Sequence, residues 1–423
     1  MLIKAAQKTY EHNIRTTMEN FELLAPAGNF DKLKTAIYFG ADAVYVGGTA
    51  FSLRAFSENF NDEEMKQAVG YVHAAGKKIY VAVNILARNR DFERIGEYLK
   101  FLESIQVDAV ILSDPGIVEL CARECKNLTI HLSTQSSTLN KYSAKFWVKQ
   151  GVKRIVLARE LSLAEVKEIA DYCGGEIEIF IHGAMCISYS GRCLLSNYLS
   201  GRDGNRGTCV QCCRWEYEIR EKNKGGDFLP VMEDSRGTYI FNSKDLNLID
   251  YLDEVKKTGA VSLKIEGRMK SEYYLATVVN AYRRAIDAYE KFGADYKQDR
   301  TFDEEVNKTA HRAFTTAYTL GNNDQTVNYS DSQSRGDRTF AAFVLGSGQD
   351  EKGEYVLIEM RNRFKIGDEL EILSPGENFN KVIKVCEMTD DLTGAAIDDA
   401  KLVQQKIRLY TPLKLTHGDI LRK

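Results

Sequence analysis

The sequence runs to 423 residues, 44% hydrophobic and 28% charged, with a formal net charge of -3. This length suits one large domain beside a smaller one, and the composition excludes a disordered or low-complexity chain. The near-neutral charge excludes a polycation, so any nucleic-acid contact has to come from a local basic patch.

Residues 1–20 read as a polar leader of mixed charge. It lacks the apolar core of a signal peptide, and no run of about 18 apolar residues marks a membrane span. A cytoplasmic protein with no membrane partner is expected, and in that compartment thiols stay reduced. From residue 21 short apolar runs alternate with stretches of helical period. The runs fall at 22–28, 43–48, 78–84, 109–114, 129–135, 154–159, 176–182 and 261–266. Helical stretches follow at 30–39 and near 62–75, 91–105, 116–125, 138–150, 162–173 and 271–292.

Strands that are almost unbroken apolar runs predict a parallel sheet covered on both faces. Eight strands in a strand–helix rhythm predict an α/β fold closed into a (β/α)8 TIM-like barrel over 21–292. The alternative is an open doubly wound sheet, but no break in strand order is visible. In a barrel of this kind the active site lies at the carboxyl ends of the strands. Those ends carry Asn84, Asp114, Gln135, Arg159, Glu160, His182, Glu266 and Arg268.

After the seventh strand the rhythm stops, and 184–260 form a cysteine-rich insertion. Beyond it, 293–325 read as a linker with a short helix near 301–314. Residues 326–423 change pattern: apolar runs at 339–345, 355–360, 369–373 and 381–385 are separated by Gly, Asp and Asn turns. This predicts a small C-terminal all-β barrel domain.

Five of the nine cysteines lie in the insertion: Cys186, Cys193, Cys209, Cys212 and Cys213. Zinc knuckles come as paired C-x2-C units, and only Cys209 and Cys212 make one. The wide, uneven spacing favours an iron–sulfur cluster over zinc, with the last ligand open between Cys212 and Cys213. Cys121, Cys125, Cys173 and Cys386 are scattered and read as structural. The insertion is also locally basic, with Arg192, Arg202, Arg206, Arg214, Arg220, Lys222 and Lys224 against Asp203, Glu216, Glu218 and Glu221. That surface suits an RNA backbone, although a solvated loop has the same look.

The stretch HGAMCISYSGRCLLS, followed by RDGNRGTC and CRWEY, closely resembles the signature of the collagenase-like peptidase family. More narrowly, it resembles the prephenate-dependent tRNA uridine-5 hydroxylases within that family. The likeness extends to ELLAPAGNFDKLKTAIYFGADAVYVGG, to SLKIEGRMKSEYYLATVVNAYRRAID and to FKIGDELEILSP, so it covers about 22–423. It implies oxygen-independent hydroxylation of the wobble uridine of tRNA at carbon 5, with prephenate as co-substrate and a bound 4Fe-4S cluster. Residue by residue it implies Cys186, Cys193, Cys209 and Cys213 as cluster ligands, the last because it directly precedes Arg214 and Trp215.

Prephenate is a dicarboxylate and calls for forked cationic donors. Arg54, Arg159, Arg192, Arg214 and Arg268 are the candidates. His182 and Glu266 are the titratable groups best placed in sequence for proton transfer, although His182 reads equally as a hydrogen-bonded support. A wobble base drawn from the anticodon loop needs an aromatic platform, for which Tyr189, Tyr198 and Trp215 are available. Three other functions compete. They are hydroxylation of ribosomal RNA or a quinone precursor, proteolysis, and a zinc-stabilised RNA-binding scaffold. Proteolysis is disfavoured, since neither an H-E-x-x-H helix nor a G-x-S-x-G elbow is present.

Overall fold

Eight short strands pair side by side in chain order, all parallel. They are β1 (Glu22–Pro26), β2 (Ala43–Gly47), β3 (Lys78–Val83), β4 (Ala109–Leu112), β5 (Ile130–Leu132), β6 (Arg154–Val156), β7 (Glu176–Ala184) and β8 (Ser262–Ile265). Leu263 of β8 stands opposite Leu23 of β1 and Ile179 of β7, which closes the ring. The expected (β/α)8 barrel is therefore the fold. These positions come from a computed structural model, which describes residues 21–52, 59–186, 188–214, 232–234, 237–239, 243–296, 299–321 and 334–423. The leader expected at 1–20 lies outside the described residues.

Helices cover the outside of the ring: α1 (Phe30–Tyr38), α2 (Asp62–Ala74), α3 (Phe92–Ser104), α4 (Pro115–Glu124), α5 (Lys141–Lys149), α6 (Leu163–Cys173), α7 (Leu252–Lys257) and α8 (Glu272–Phe292). Asn29, Asn61, Asp114, Asn140, Ser162 and Ser271 each accept a backbone N–H from the first turn that follows. Such caps contribute about 1 kcal/mol apiece and explain why these six helices start where they do.

At the amino ends of the strands the barrel interior is ionic. Arg154 pairs with Glu22, with Glu176 at 2.8 Å and with Glu178 at 3.4 Å. Glu178 also takes Lys264 at 2.8 Å, and Tyr80 donates to Glu22 at 2.7 Å. Burial alone would push the Glu22 carboxyl up, but Arg154 beside it holds it below its ordinary value. Buried charge of this kind persists only when paired and hydrogen-bonded.

The insertion leaves the barrel at the end of β7 and returns as a short strand, Asp245–Asn247, antiparallel to β7 with Asp245 opposite Ala184. The linker helix α9 (Arg300–Asn307) stops earlier than the expected 314. The chain beyond it is drawn into the sheet, where Phe314–Thr315 pairs with Asp245 and Leu246. The C-terminal region is all β. Seven antiparallel strands, among them Phe340–Asp350, Gly353–Met360, Glu369–Leu373 and Val382–Lys384, wrap a separate apolar core containing Val344, Ile358, Ile372 and Ile407.

Candidate active site

The carboxyl ends of the strands and the insertion enclose a cavity of about 160 Å³. Tyr45, Ile111, Val156, Phe180 and Lys264 line it from the barrel side. Asn84, Gln135, Arg159, Glu266 and Arg268 line it from the rim, and all five insertion cysteines line it from above. The rim location follows from topology, because every strand of a parallel barrel delivers its last residues to the same face.

The cysteine segment is a series of tight turns. Cys193 accepts the backbone N–H of Leu195 at 3.3 Å, and Cys209 accepts that of Gln211 at 3.4 Å. Cys212 is buried, while Cys186, Cys193, Cys209 and Cys213 are half-buried. Burial pushes the Cys186 and Cys212 thiols up, and the neighbouring Cys193 and Cys209 push both the same way. A metal that binds thiolate must displace those protons.

The donor set is all sulfur, faces one cavity and receives backbone N–H bonds, which is the chemistry that fits an iron–sulfur cluster. Among the described residues no three Cys, His, Asp or Glu side chains converge as a shell for one ion. Both Cys212 and Cys213 line the cavity, so lining does not choose between them.

Arg159 donates to the Ala184 carbonyl at 2.8 Å, with its guanidinium 4.8 Å from the Phe180 ring centre. Arg268 is buried and donates to Ser52 Oγ at 2.8 Å and to Asn59. Gly47 makes room for it, since a Cβ there would lie 2.2 Å from the Arg268 guanidinium. Glu266 lies beside the Tyr45 hydroxyl at 3.4 Å. Asn84 donates its amide to Gln135 at 2.8 Å, forming a polar pair on the opposite rim.

Several sequence candidates fall elsewhere. His182 does not line the cavity. The register shifts between Lys264 and Ile265, and the His182 ring packs against Tyr274, Tyr282 and Phe314. Burial lowers its pKa to about 3, and its Nδ1 lies 3.4 Å from the Tyr282 hydroxyl. Of the two proton-transfer candidates only Glu266 lines the cavity, and His182 is a neutral buried support. Arg192 is exposed, outside the cavity lining, and donates to the Gln135 carbonyl at 2.6 Å. Arg54 and Trp215 lie outside the described residues, as does the side chain of Arg214. Tyr189 and Tyr198 are exposed on the insertion. Asp114 caps α4, accepting from Gly116 at 2.8 Å, and Glu160 accepts from Ser190 at 2.7 Å. Lys264, Tyr45 and Phe180 are among the lining residues that the sequence reading missed.

Comparison with known proteins follows the same division of the chain. The model for "Peptidase family U32" matches residues 28–329, and that for "Peptidase family U32 C-terminal domain" matches 337–422. The "tRNA hydroxylation protein P1" of Bacillus subtilis (strain 168) is 40% identical over 406 residues, 95% of this chain and 94% of that protein. The "tRNA hydroxylation protein P" of Escherichia coli (strain K12) is 37% identical over 411 residues, covering 86% and 89%. A "Collagenase" of Porphyromonas gingivalis (strain ATCC BAA-308 / W83) is 30% identical over 379 residues, covering 85% and 87%. On both family matches and these near-full-length relatives, the chain belongs to peptidase family U32.

Proposed function

We propose that this chain hydroxylates tRNA, at carbon 5 of the wobble uridine, without oxygen and with prephenate as co-substrate. The observation that carries the reading is 40% identity along 95% of the chain to a tRNA hydroxylation protein. Five thiols over a cation-lined cavity at a barrel mouth support it. In this reading Cys186, Cys193, Cys209 and Cys213 hold a 4Fe-4S cluster. Such a cluster, when bound, supplies a one-electron redox centre beside the cavity. Arg159 and Arg268 meet the outer carboxylate of prephenate through charge-assisted hydrogen bonds. Glu266 holds or accepts a proton beside the Tyr45 hydroxyl. A uridine drawn out of a single-stranded anticodon loop enters the mouth past the exposed Tyr189. The site of action is the cytoplasm, where tRNA is found, and no described helix is long and apolar enough to cross a membrane.

Proteolysis gains nothing from the geometry. A thiol nucleophile needs an imidazole partner, and among the described residues no histidine lines the cavity that holds the cysteines. The deciding experiment expresses the chain in a bacterial strain lacking its own tRNA hydroxylation proteins. Mass spectrometry of the tRNA nucleosides is then compared with and without a block in prephenate synthesis. 5-Hydroxyuridine that appears with the chain and vanishes with prephenate supports the reading. Unmodified tRNA beside newly hydroxylated ribosomal RNA or quinone moves the substrate.

A further inference from the structure

Lys264 is a buried cation that the reading above does not use. It is the third residue of β8 and lines the cavity, and only 5% of its surface is exposed. An ammonium carries three donors. Glu178 accepts one at 2.8 Å. The ammonium then stands 4.4 Å from the Tyr45 ring centre and 5.6 Å from that of Phe180. Among the described residues no second acceptor lies within hydrogen-bond reach of its Nζ.

Glu178 does not belong to Lys264 alone, because it is shared with Arg154. Arg159 stands 4.8 Å from the centre of the same Phe180 ring that Lys264 approaches, and its other partner is the neutral Ala184 carbonyl. Two cavity-lining cations thus flank one ring, and among the described residues Arg159 pairs with no carboxylate. Positive charge concentrated in a low-dielectric cavity draws a small anion rather than a neutral ligand. Two such centres on one ring fit a ligand with anionic groups at both ends.

We propose that Lys264 holds one carboxylate of the small-molecule co-substrate at the floor of the cavity, with Arg159 taking the second across the Phe180 ring. The inference rests on the reading that the co-substrate is a dicarboxylate. It assigns the inner end of that molecule to a residue on β8, so specificity for an anion is built into the barrel wall beneath the insertion.

Lys264 has a competing, purely structural role, which is to neutralise Glu178. The test separates the two with the full chain, prepared anaerobically. Prephenate binding is measured by calorimetry for wild type, Lys264→Met and the double variant Lys264→Met/Glu178→Gln, with thermal melting of each. The single variant alone removes a buried partner and loses stability whichever role is correct. The double variant removes both charges and restores melting. The expected result is a double variant that melts like wild type yet binds prephenate at least tenfold more weakly, with KM for prephenate raised. A stable double variant with wild-type affinity overturns the assignment and leaves the dicarboxylate reading intact. A wild-type chain that binds no prephenate sinks the co-substrate reading, and the Lys264 assignment with it.

Discussion

Arg422 and Glu305 form a two-pronged ion pair, 2.6 Å and 2.8 Å, with neither side chain exposed. The pair ties the last strand of the C-terminal sheet to α9, beside the barrel. Glu371 also meets Arg422 at 2.6 Å and Lys308 meets Glu305 at 3.0 Å, so removing one member leaves the other partly paired and costs less than the about 3–5 kcal/mol of a wholly unpaired buried charge. Glu305→Gln and Arg422→Met are each expected to lower the melting temperature sharply. An Arg422→Met/Glu305→Leu double variant is expected to recover part of that loss. Single variants that melt like wild type would remove this contact as the clasp between the two parts.

The thiols divide into two populations. Iron and acid-labile sulfide, assayed anaerobically, are expected at about four irons per chain for wild type. They are expected to persist in Cys212→Ala and to collapse in Cys186→Ala, Cys193→Ala, Cys209→Ala and Cys213→Ala. Alanine at Cys121 or Cys173, buried in the apolar core away from the cavity, is expected to leave iron content unchanged. Iron lost from Cys212→Ala and kept by Cys213→Ala would exchange the two ligands.

Burial holds the His182 imidazole to a pKa of about 3, below the 6.5 of an ordinary histidine. Between those values the unfolded chain binds a proton that the folded chain does not, so acid favours unfolding. Stability from this residue is complete above pH 6.5 and falls as pH drops. The slope is about 1.4 kcal/mol per pH unit. Denaturant titrations between pH 5 and 7 are expected to show a shallower pH dependence for His182→Gln. Unchanged pH dependence would mean that His182 is charged in the fold.

Gly183 has φ +105°, and a Cβ there would lie 2.2 Å from the Glu266 carbonyl oxygen. Gly183→Ala combines a strained backbone with a clash between β7 and the segment after β8. A loss of about 2 kcal/mol or more is expected on chemical denaturation, together with reduced 5-hydroxyuridine. Wild-type stability in this variant would show that the two strand ends separate freely.

Asp114→Ala tests a residue whose position is deceptive. It stands at a strand end with the rim groups, but its carboxylate is spent on the first turn of α4. The expected result is a loss of about 1 kcal/mol with tRNA modification intact. Loss of modification in a stable variant would return Asp114 to the active site.

The barrel was legible because a parallel strand buried on both faces leaves an unbroken apolar run, and seven of these follow in succession with the eighth after the insertion. The cysteine cluster was legible because scattered core thiols do not crowd. Lys264 was not, since the run VSLKIEG reads as an apolar strand with charged interruptions. Its alternation places Ser262, Lys264 and Glu266 toward the interior, a period-two signal hidden by the period-free pattern of its neighbours. Glu22, Arg154 and Glu176 hid in the same way, each as the first residue of its strand and so easily taken for a boundary. His182 misled for a different reason. Counting by twos from Phe180 turns it inward, and only the register shift opposite Ile265 sends it out among the tyrosines.

The insertion leaves and re-enters the barrel at a single rung, Ala184 opposite Asp245. Paired residues in neighbouring strands stand only about 5 Å apart. Closing a long loop across so short a gap costs little more than closing a short one. The cysteine-rich segment is therefore a detachable cassette. A two-residue turn joining the paired strands would leave the eight-stranded ring whole, and a foreign segment spliced at the same rung would inherit the cavity beneath it.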